Sequence, residues 1–139
     1  MSVDSAGLAA RLGIKPGMVV QELGWDEDAD EDLRDAIIEV SGGEMVDEDT
    51  DEVADVVLLW WREDDGDLFD ALTDAITSLG EDGVVWLLVP KSGRPGHVEP
   101  GDVTEVAPTA GLQQTSSVSA AKDWSGIRLV SPKTARNRR

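Results

Sequence analysis

The chain has 139 residues, no cysteine, and 29 acidic against 12 basic residues, which gives a formal net charge of −17. The lack of cysteine excludes disulfides and thiol chemistry, and no segment reaches the roughly 18 to 20 apolar residues of a membrane span. The first residues, MSVDSAGLAARLGIKPG, have neither the basic start nor the apolar stretch of a signal peptide. We therefore expect a cytoplasmic protein without membrane association.

The first half of the chain predicts a helix, a strand and a second helix. Residues 4–13 favour a short helix, and residues 18–23 (MVVQEL) favour a first strand. Residues 30–40 place their apolar side chains on one helical face and begin with acidic residues, which suit the helix dipole. Residues 44–52 leave two alternatives open, a short edge strand at Met45-Val46 or an acidic loop.

The clearest pattern is a β-α-β unit between residues 54 and 89. ADVVLLWW (54–61) and VVWLLV (84–89) are continuous apolar runs of strand length. Such runs are typical of neighbouring parallel strands that are buried on both faces. The segment 67–80 between them predicts an amphipathic helix, whose apolar face carries Leu68, Leu72, Ala75, Ile76 and Leu79.

The last third predicts a loop, a short helix and two strands. The segment 90–101 is rich in proline and glycine, and Asp102 with Glu105 matches a capping box at the start of a helix. Pro108 is expected to stop or kink this helix. LQQTSSVSA and GIRLVSP follow as an antiparallel hairpin. We expect one α/β domain over residues 1–132 and a basic, disordered tail at 133–139.

The second half resembles a known family. Trp86, the segment Pro90-Lys91-Ser92, Gly111-Leu112 and the run WSGIRLV (124–130) are similar to the DUF3052 family of actinobacterial proteins. The element order also resembles the C-terminal half of class I methyltransferases. The resemblance implies an architecture without an activity: a small Rossmann-like α/β fold with a mostly parallel sheet, a C-terminal antiparallel hairpin and helices on both faces.

The turn after the first strand departs from methyltransferases. Those enzymes have a glycine-rich turn where backbone N–H groups approach the cofactor. Here a single Gly24 is followed by Trp25 and a dense acidic run. We therefore expect no S-adenosylmethionine binding, no other cofactor, and a protein that is not an enzyme.

Charge is distributed unevenly along the chain. Residues 22–70 contain 21 acidic residues against only Arg34 and Arg62, whereas residues 81–139 contain eight basic and six acidic residues. The acidic half repels phosphates, so we expect no nucleic-acid binding despite the basic tail. Two interpretations stay open for this half, a solvated face or a docking surface for a basic protein partner.

One loop carries the candidate ligand site. The segment from Lys91 to His97 combines two cations, a hydroxyl, two glycines and the only histidine, just past a predicted parallel strand. Such a loop can wrap an anion, although a plain surface loop is the competing interpretation. The tentative ligand or partner residues are Lys91, Ser92, Arg94, His97, Arg62, Trp61 and Trp124.

The pattern predicts no catalytic residue and no metal site. No serine or cysteine sits in a nucleophile turn beside His97, and the acidic clusters lack the ordered spacing of a calcium loop. Adjacent Trp60 and Trp61 should point to opposite faces of a strand, Trp86 should be core, and Trp124 is expected to be half-exposed at the hairpin turn.

Two functional hypotheses follow. The leading one is a non-enzymatic binding or regulatory protein that acts through contacts with an unknown protein partner. The alternative is a sensor of a small anionic molecule, or a degenerate methyltransferase-like enzyme, that uses the Lys91–His97 loop.

Overall fold

The computed structural model describes residues 10, 12–47 and 52–130, which form a five-stranded sheet with three α-helices. The predicted helix before Gly13 and the predicted tail lie almost wholly outside these residues. The elements in chain order are β1 (Val20–Leu23), α1 (Glu31–Ser41), β2 (Ala54–Trp60), α2 (Leu68–Ala75), β3 (Leu79–Pro90), α3 (Pro100–Thr109), β4 (Gln113–Ser119) and β5 (Trp124–Val130), with a 3-10 turn at Glu63–Asp65.

The strand order is β1-β2-β3-β5-β4. The β1, β2 and β3 strands are parallel, whereas β5 runs antiparallel to both of its neighbours, β3 and β4. The sheet is therefore mixed, and the prediction of a mostly parallel sheet is wrong. The apolar runs of β2 and β3 indicate that these strands are buried on both faces. They do not indicate that β5 lies between β3 and β4 and runs antiparallel to both.

Helices cover both faces of the sheet because the strands are apolar on both sides. On one face α1 packs over a cluster that includes Trp60, Trp86 and Trp124. On the other face α2 and α3 pack over a cluster that includes Trp61 and Leu72. Trp60 and Trp61 thus point to opposite faces, and Trp86 is core, as predicted. No helix of the described residues is long and apolar enough to cross a bilayer.

The ends of α1 follow from its sequence. The Asp30 side chain accepts a hydrogen bond from the Leu33 backbone N–H at 2.8 Å and caps the helix. Gly42 closes it in the left-handed conformation, with φ of 88°. On the far side of β1, Val46 forms an isolated bridge to Gln21. Of the edge strand that was one alternative for residues 44–52, the structure shows only this single β-bridge. Residues 48–51 lie outside the described residues.

Two helix boundaries differ from the prediction. The α2 helix ends at Ala75, and Leu79 opens β3, where it pairs with Ala54. The α3 helix begins at Pro100 and not at Asp102, because proline at the first helical position needs no hydrogen-bond donor. It runs past the expected stop to Thr109.

Candidate functional site

The carboxyl ends of the three parallel strands place two distinct regions side by side. Ligands of open α/β sheets sit beyond these ends. The first region, the closed corner, consists of Gly24, Asp28, Arg62, Asp65 and Trp124. The second, the His97 cleft, lies between the end of β3, the strands β4 and β5 and the start of α3.

Arg62 is the centre of the closed corner. Its Nε donates to Asp28 Oδ2 at 3.0 Å, and a second short bond joins its Nη2 to the same carboxylate. Its Nη1 donates to the Gly24 carbonyl at 2.7 Å and to Asp65 at 3.2 Å. The Arg62 side chain is only 12% exposed. The charge of Arg62 is therefore neutralised by Asp28 and Asp65 of the same chain and is not exposed to a ligand.

Trp124 completes the corner. Its indole Nε1 donates to the Asp28 carbonyl at 3.2 Å, and the Arg62 guanidinium lies 5.2 Å from its ring centroid. The ring also packs edge-on against Trp60 at 4.8 Å. Trp124 is 3% exposed, so the expectation of a half-exposed indole is wrong. The hairpin turn folds back over the strand ends and buries it.

A second ion pair holds the start of α1 to β1. Arg34 binds Glu22 through two hydrogen bonds of 2.6 and 2.8 Å, and Glu22 also accepts from the Trp60 indole at 2.9 Å. The Glu22 hydrogen bond is the main cause that raises the pKa of Arg34. The hydrogen bond from Arg62 likewise lowers the pKa of Asp28. Burial lowers the pKa of Arg62, but its bonds to Asp28 and Asp65 outweigh burial and raise it.

Gly24 shows that the first turn is packed against the chain itself. Its φ is +75°, and a Cβ at this position would lie 2.3 Å from the Trp60 carbonyl oxygen. The glycine is needed because a neighbouring strand approaches it. On one side of the turn, Arg62 Nη1 donates to the Gly24 carbonyl and Trp124 packs against Arg62. On the other side, Gly24 lines a cavity of about 370 Å³. A single glycine in contact with its own chain is not the glycine-rich cradle that S-adenosylmethionine needs.

The His97 cleft is a cavity of about 360 Å³. This volume is within the usual range for small-molecule sites. Its walls combine the apolar sheet surface with hydroxyl and imidazole groups. The lining residues are Val89, Pro90, His97, Val98, Pro100, Gln114, Ser117, Val118, Ser119, Ser125 and Ile127.

Polar contacts fix two side chains at this cleft. His97 Nδ1 lies 2.9 Å from the Pro90 carbonyl oxygen, which can only accept, so Nδ1 carries a proton. His97 Nε2 lies 3.7 Å from Glu99. At the rim, Lys91 Nζ donates to Ser119 Oγ at 2.6 Å. Lys91 forms no ion pair with the described carboxylates, so its charge remains available to an anion.

The other predicted site residues lie elsewhere. Arg94 points to the opposite side of its loop, where it pairs with Asp123 at 3.3 Å. Ser92 is exposed in the same turn. Trp61 is 7% exposed and packs in the α2 and α3 core, so it lines no cleft. His97 thus lines the cleft and Lys91 reaches its rim through Ser119, whereas Arg62, Trp61 and Trp124 lie elsewhere.

The sequence prediction missed the serines of the cleft. Ser117 and Ser119 alternate along β4, so they share the face that carries Ser125 and Ile127 of β5. The only signal was this S-x-S alternation in a strand with little apolar character. It predicts a polar strand face but no particular neighbour.

Two further cavities are of comparable or larger size. One of about 640 Å³ lies at the opposite edge of the parallel strands, and its lining includes Lys15, Asp55, Arg128 and the exposed Val53. Another of about 370 Å³ lies beside β1, where Gly24 lines it and Asp74 is its only charged lining residue. Within the described residues, no group of three or more acidic or histidine side chains is arranged to hold a metal ion.

Comparison with known proteins decides the family. The family model described as a protein of unknown function (DUF3052) matches residues 9–133. The chain belongs to the DUF3052 family. An uncharacterized protein of Mycobacterium tuberculosis and one of Mycobacterium bovis are each 57% identical over 135 residues, which cover 97% of this chain and 85% of theirs. The predicted resemblance is thus confirmed.

Solved structures show which fold this DUF3052 chain shares. The pyocyanin biosynthetic protein PhzM aligns with a TM-score of 0.66 at 14% identity, over 91% of this chain and 54% of PhzM. A SAM-dependent methyltransferase from Aquifex aeolicus aligns with a TM-score of 0.61 at 14% identity, over 91% and 88%. The DUF3052 chain therefore has a methyltransferase-like fold, and it spans about half the length of PhzM.

Proposed function

We propose that this DUF3052 protein is a non-enzymatic binding protein that takes a small, partly apolar molecule with an anionic group into the His97 cleft. The observation that carries the proposal is the cleft itself, about 360 Å³ at the carboxyl end of β3. Val89, Val98 and Ile127 offer an apolar floor. Serine hydroxyls and His97 offer a few oriented polar groups, which is the usual composition of a ligand pocket.

The anionic group is suggested by the charges at the rim. Lys91 Nζ lies 2.6 Å from Ser119 Oγ, and Ser119 lines the cleft. A ligand carboxylate at this rim would pair with the Lys91 ammonium group.

The closed corner supports a function without cofactor chemistry of the methyltransferase kind. Methyl transfer on this fold depends on a cofactor beside the first strand. Here Arg62, Asp28 and Trp124 fill that place with internal hydrogen bonds. The His97 cleft lies at the same edge of the sheet, beyond the end of β3.

A charge-matched ligand pair tests the proposal. Benzoate and benzamide have the same shape but differ in charge, and octanoate and octanamide form a second such pair. We expect the carboxylates to raise the melting temperature of the protein more than the amides do, because a ligand stabilises the state it binds. The loss of one charge-assisted hydrogen bond, about 1.5 to 3 kcal/mol, corresponds to roughly tenfold or more in affinity.

The variant Lys91→Ala should remove the preference for the carboxylates. Lys122→Ala is the matched control, because Lys122 is an exposed lysine of the hairpin turn, whereas Lys91 Nζ contacts the lining residue Ser119. Ser125→Leu should fill the cleft and abolish both preferences. Equal effects of the Lys91 and Lys122 variants would show that the carboxylates bind elsewhere.

Contacts with a basic protein partner are a second candidate, favoured by one observation. Trp25 is 49% exposed in the middle of the acidic half, with its ring 5.5 Å from the Arg34 guanidinium carbon. Tryptophan is enriched at protein interfaces relative to the rest of the protein surface. We propose that this ring would anchor a lysine- or arginine-rich segment.

A synthetic lysine- and arginine-rich peptide tests this second candidate. Its binding should weaken with salt and should fall in Trp25→Ala. Phe69→Ala is the control, since Phe69 is the other partly exposed aromatic side chain, at 36%. If binding depends on salt but both variants bind like the wild type, Trp25 does not anchor the peptide. The acidic half is then a solvated face and not a docking surface.

A further inference from the structure

The outer edge of β4 from Gln113 to Val118 pairs with no strand of the described residues, and we propose that it pairs antiparallel with β4 of a second copy of this chain. β4 is the last strand of the sheet, and no described element pairs with its outer side. An unpaired edge presents a row of backbone N–H and C=O groups that another strand can bind. The joined sheet would have ten strands.

The register of the hairpin shows which groups point outward. The Ala120 and Ala121 N–H groups both donate to the Trp124 carbonyl, at 3.0 and 3.1 Å, so the Ala120 N–H points toward β5. Antiparallel pairs alternate between bonded and non-bonded. Val118 with Gly126 is then bonded, and Ser117 with Ile127 is not. The backbone N–H and C=O of Ser117 therefore face away from β5, toward the open edge.

Neither charge nor proline protects this edge. Natural edge strands are commonly blocked by lysine, proline or shortness. The β4 sequence, QQTSSVS, contains no charged residue and no proline. The opposite edge is different: β1 has four residues and is bridged on its outer side by Val46.

The distribution of charge favours a second copy as the occupant. Two chains of net charge −17 repel each other unless their acidic parts are kept apart. Residues 22–70, which hold 21 of the acidic residues, build the β1 side of the sheet. Pairing through β4 brings the two neutral edges together and puts the acidic halves at the far ends. A strand paired with itself around a two-fold axis also needs no second surface.

The size of the contact predicts a weak dimer. The six residues Gln113–Val118 extend over about 20 Å of strand. Backbone pairing over that length, without a large apolar patch, falls below the roughly 1,200 Å² of stable interfaces. The dimer should therefore appear only as the protein concentration rises.

Sedimentation of the full chain over a concentration series tests the proposal. The mass should rise from 14.9 kDa toward twice that value. Ser117→Pro removes the outward N–H without touching the bonds to β5, so it should stay at 14.9 kDa. Ser117→Ala is the control, since it loses the same hydroxyl, keeps the N–H and should dimerise like the wild type. Both variants lose the same group of the His97 cleft, so the ligand proposal is tested separately.

A second variant and a second measurement keep the test decisive. Ser116→Lys adds a charge to the edge and should also abolish the dimer, whereas Thr109→Lys on α3 should not. Hydrogen exchange at the Ser117 amide should slow as the wild-type concentration rises. A monomer at every concentration, or a dimer that survives Ser117→Pro and Ser116→Lys, would overturn the proposal. So would amide protection that is independent of concentration and disappears when residues 131–139 are deleted.

Discussion

Replacement of Arg62 by methionine should destabilise the protein by about 2 kcal/mol. Removing one partner of a buried ion pair costs about 3 to 5 kcal/mol, because the other charge is left buried. The Arg62 side chain is 12% exposed, but Asp28 and Asp65 are 54% and 35% exposed, so water can solvate them in the variant. Exposed pairs contribute only about 0.2 to 1 kcal/mol. The expected loss lies between these limits.

Urea unfolding followed by tryptophan fluorescence measures this loss as a change in the free energy of unfolding. Arg94→Met is the matched control at the same edge of the sheet, because Arg94 makes a single exposed pair with Asp123. We expect the control to lose less than about 1 kcal/mol. Equal losses in the two variants, or a loss below about 0.5 kcal/mol for Arg62→Met, would refute the internal role of Arg62.

Three further predictions concern the core, the first turn and pH. Leu72→Ala, at a fully buried position of α2, should cost about 2 to 5 kcal/mol in urea unfolding, whereas Phe69→Ala on the same helix should cost much less. Gly24→Ala should lose more than about 1 kcal/mol in the same assay, from a positive φ and a carbonyl contact; a neutral result would mean that the turn is open. The pKa of Asp28 is lowered, so its stabilising effect is complete above the ordinary value of 3.8 and is lost as the pH falls through the lower folded value. The stability difference between the wild type and Arg62→Met should therefore shrink in acid titrations, and a constant difference down to pH 2 would contradict the pairing.

The fold could be predicted from the sequence where burial alone decides it. The runs 54–61 and 84–89 are strands because both faces are covered, and this needs only apolar continuity. The end of α2 could not be predicted in this way, since Leu79 continues the helical spacing of Leu72 and yet pairs with Ala54 in the sheet. The position of β5 between β3 and β4 is set by long-range pairing, which no local pattern encodes.

The candidate site was less accessible to sequence analysis for the same reason. Lys91 and His97 share one loop, so their placement beyond the end of β3 followed from their position in the sequence alone. Arg62 and Asp28 are separated by 34 residues, and their pairing depends on how two strand ends meet. A free cation and an ion-paired one look identical in a sequence, and the fold decides which is which.

Chemical-shift mapping by nuclear magnetic resonance tests the central claim most directly, namely that the His97 cleft is the open site and that the first-strand corner is closed. In a titration with octanoate, the amides of Val98, Ser117 and Ile127 should shift, and those of Gly24 and Trp25 should not. S-adenosylmethionine should move neither group. Saturable shifts at Gly24 and Trp25 with S-adenosylmethionine, and none at the cleft with octanoate, would contradict the account.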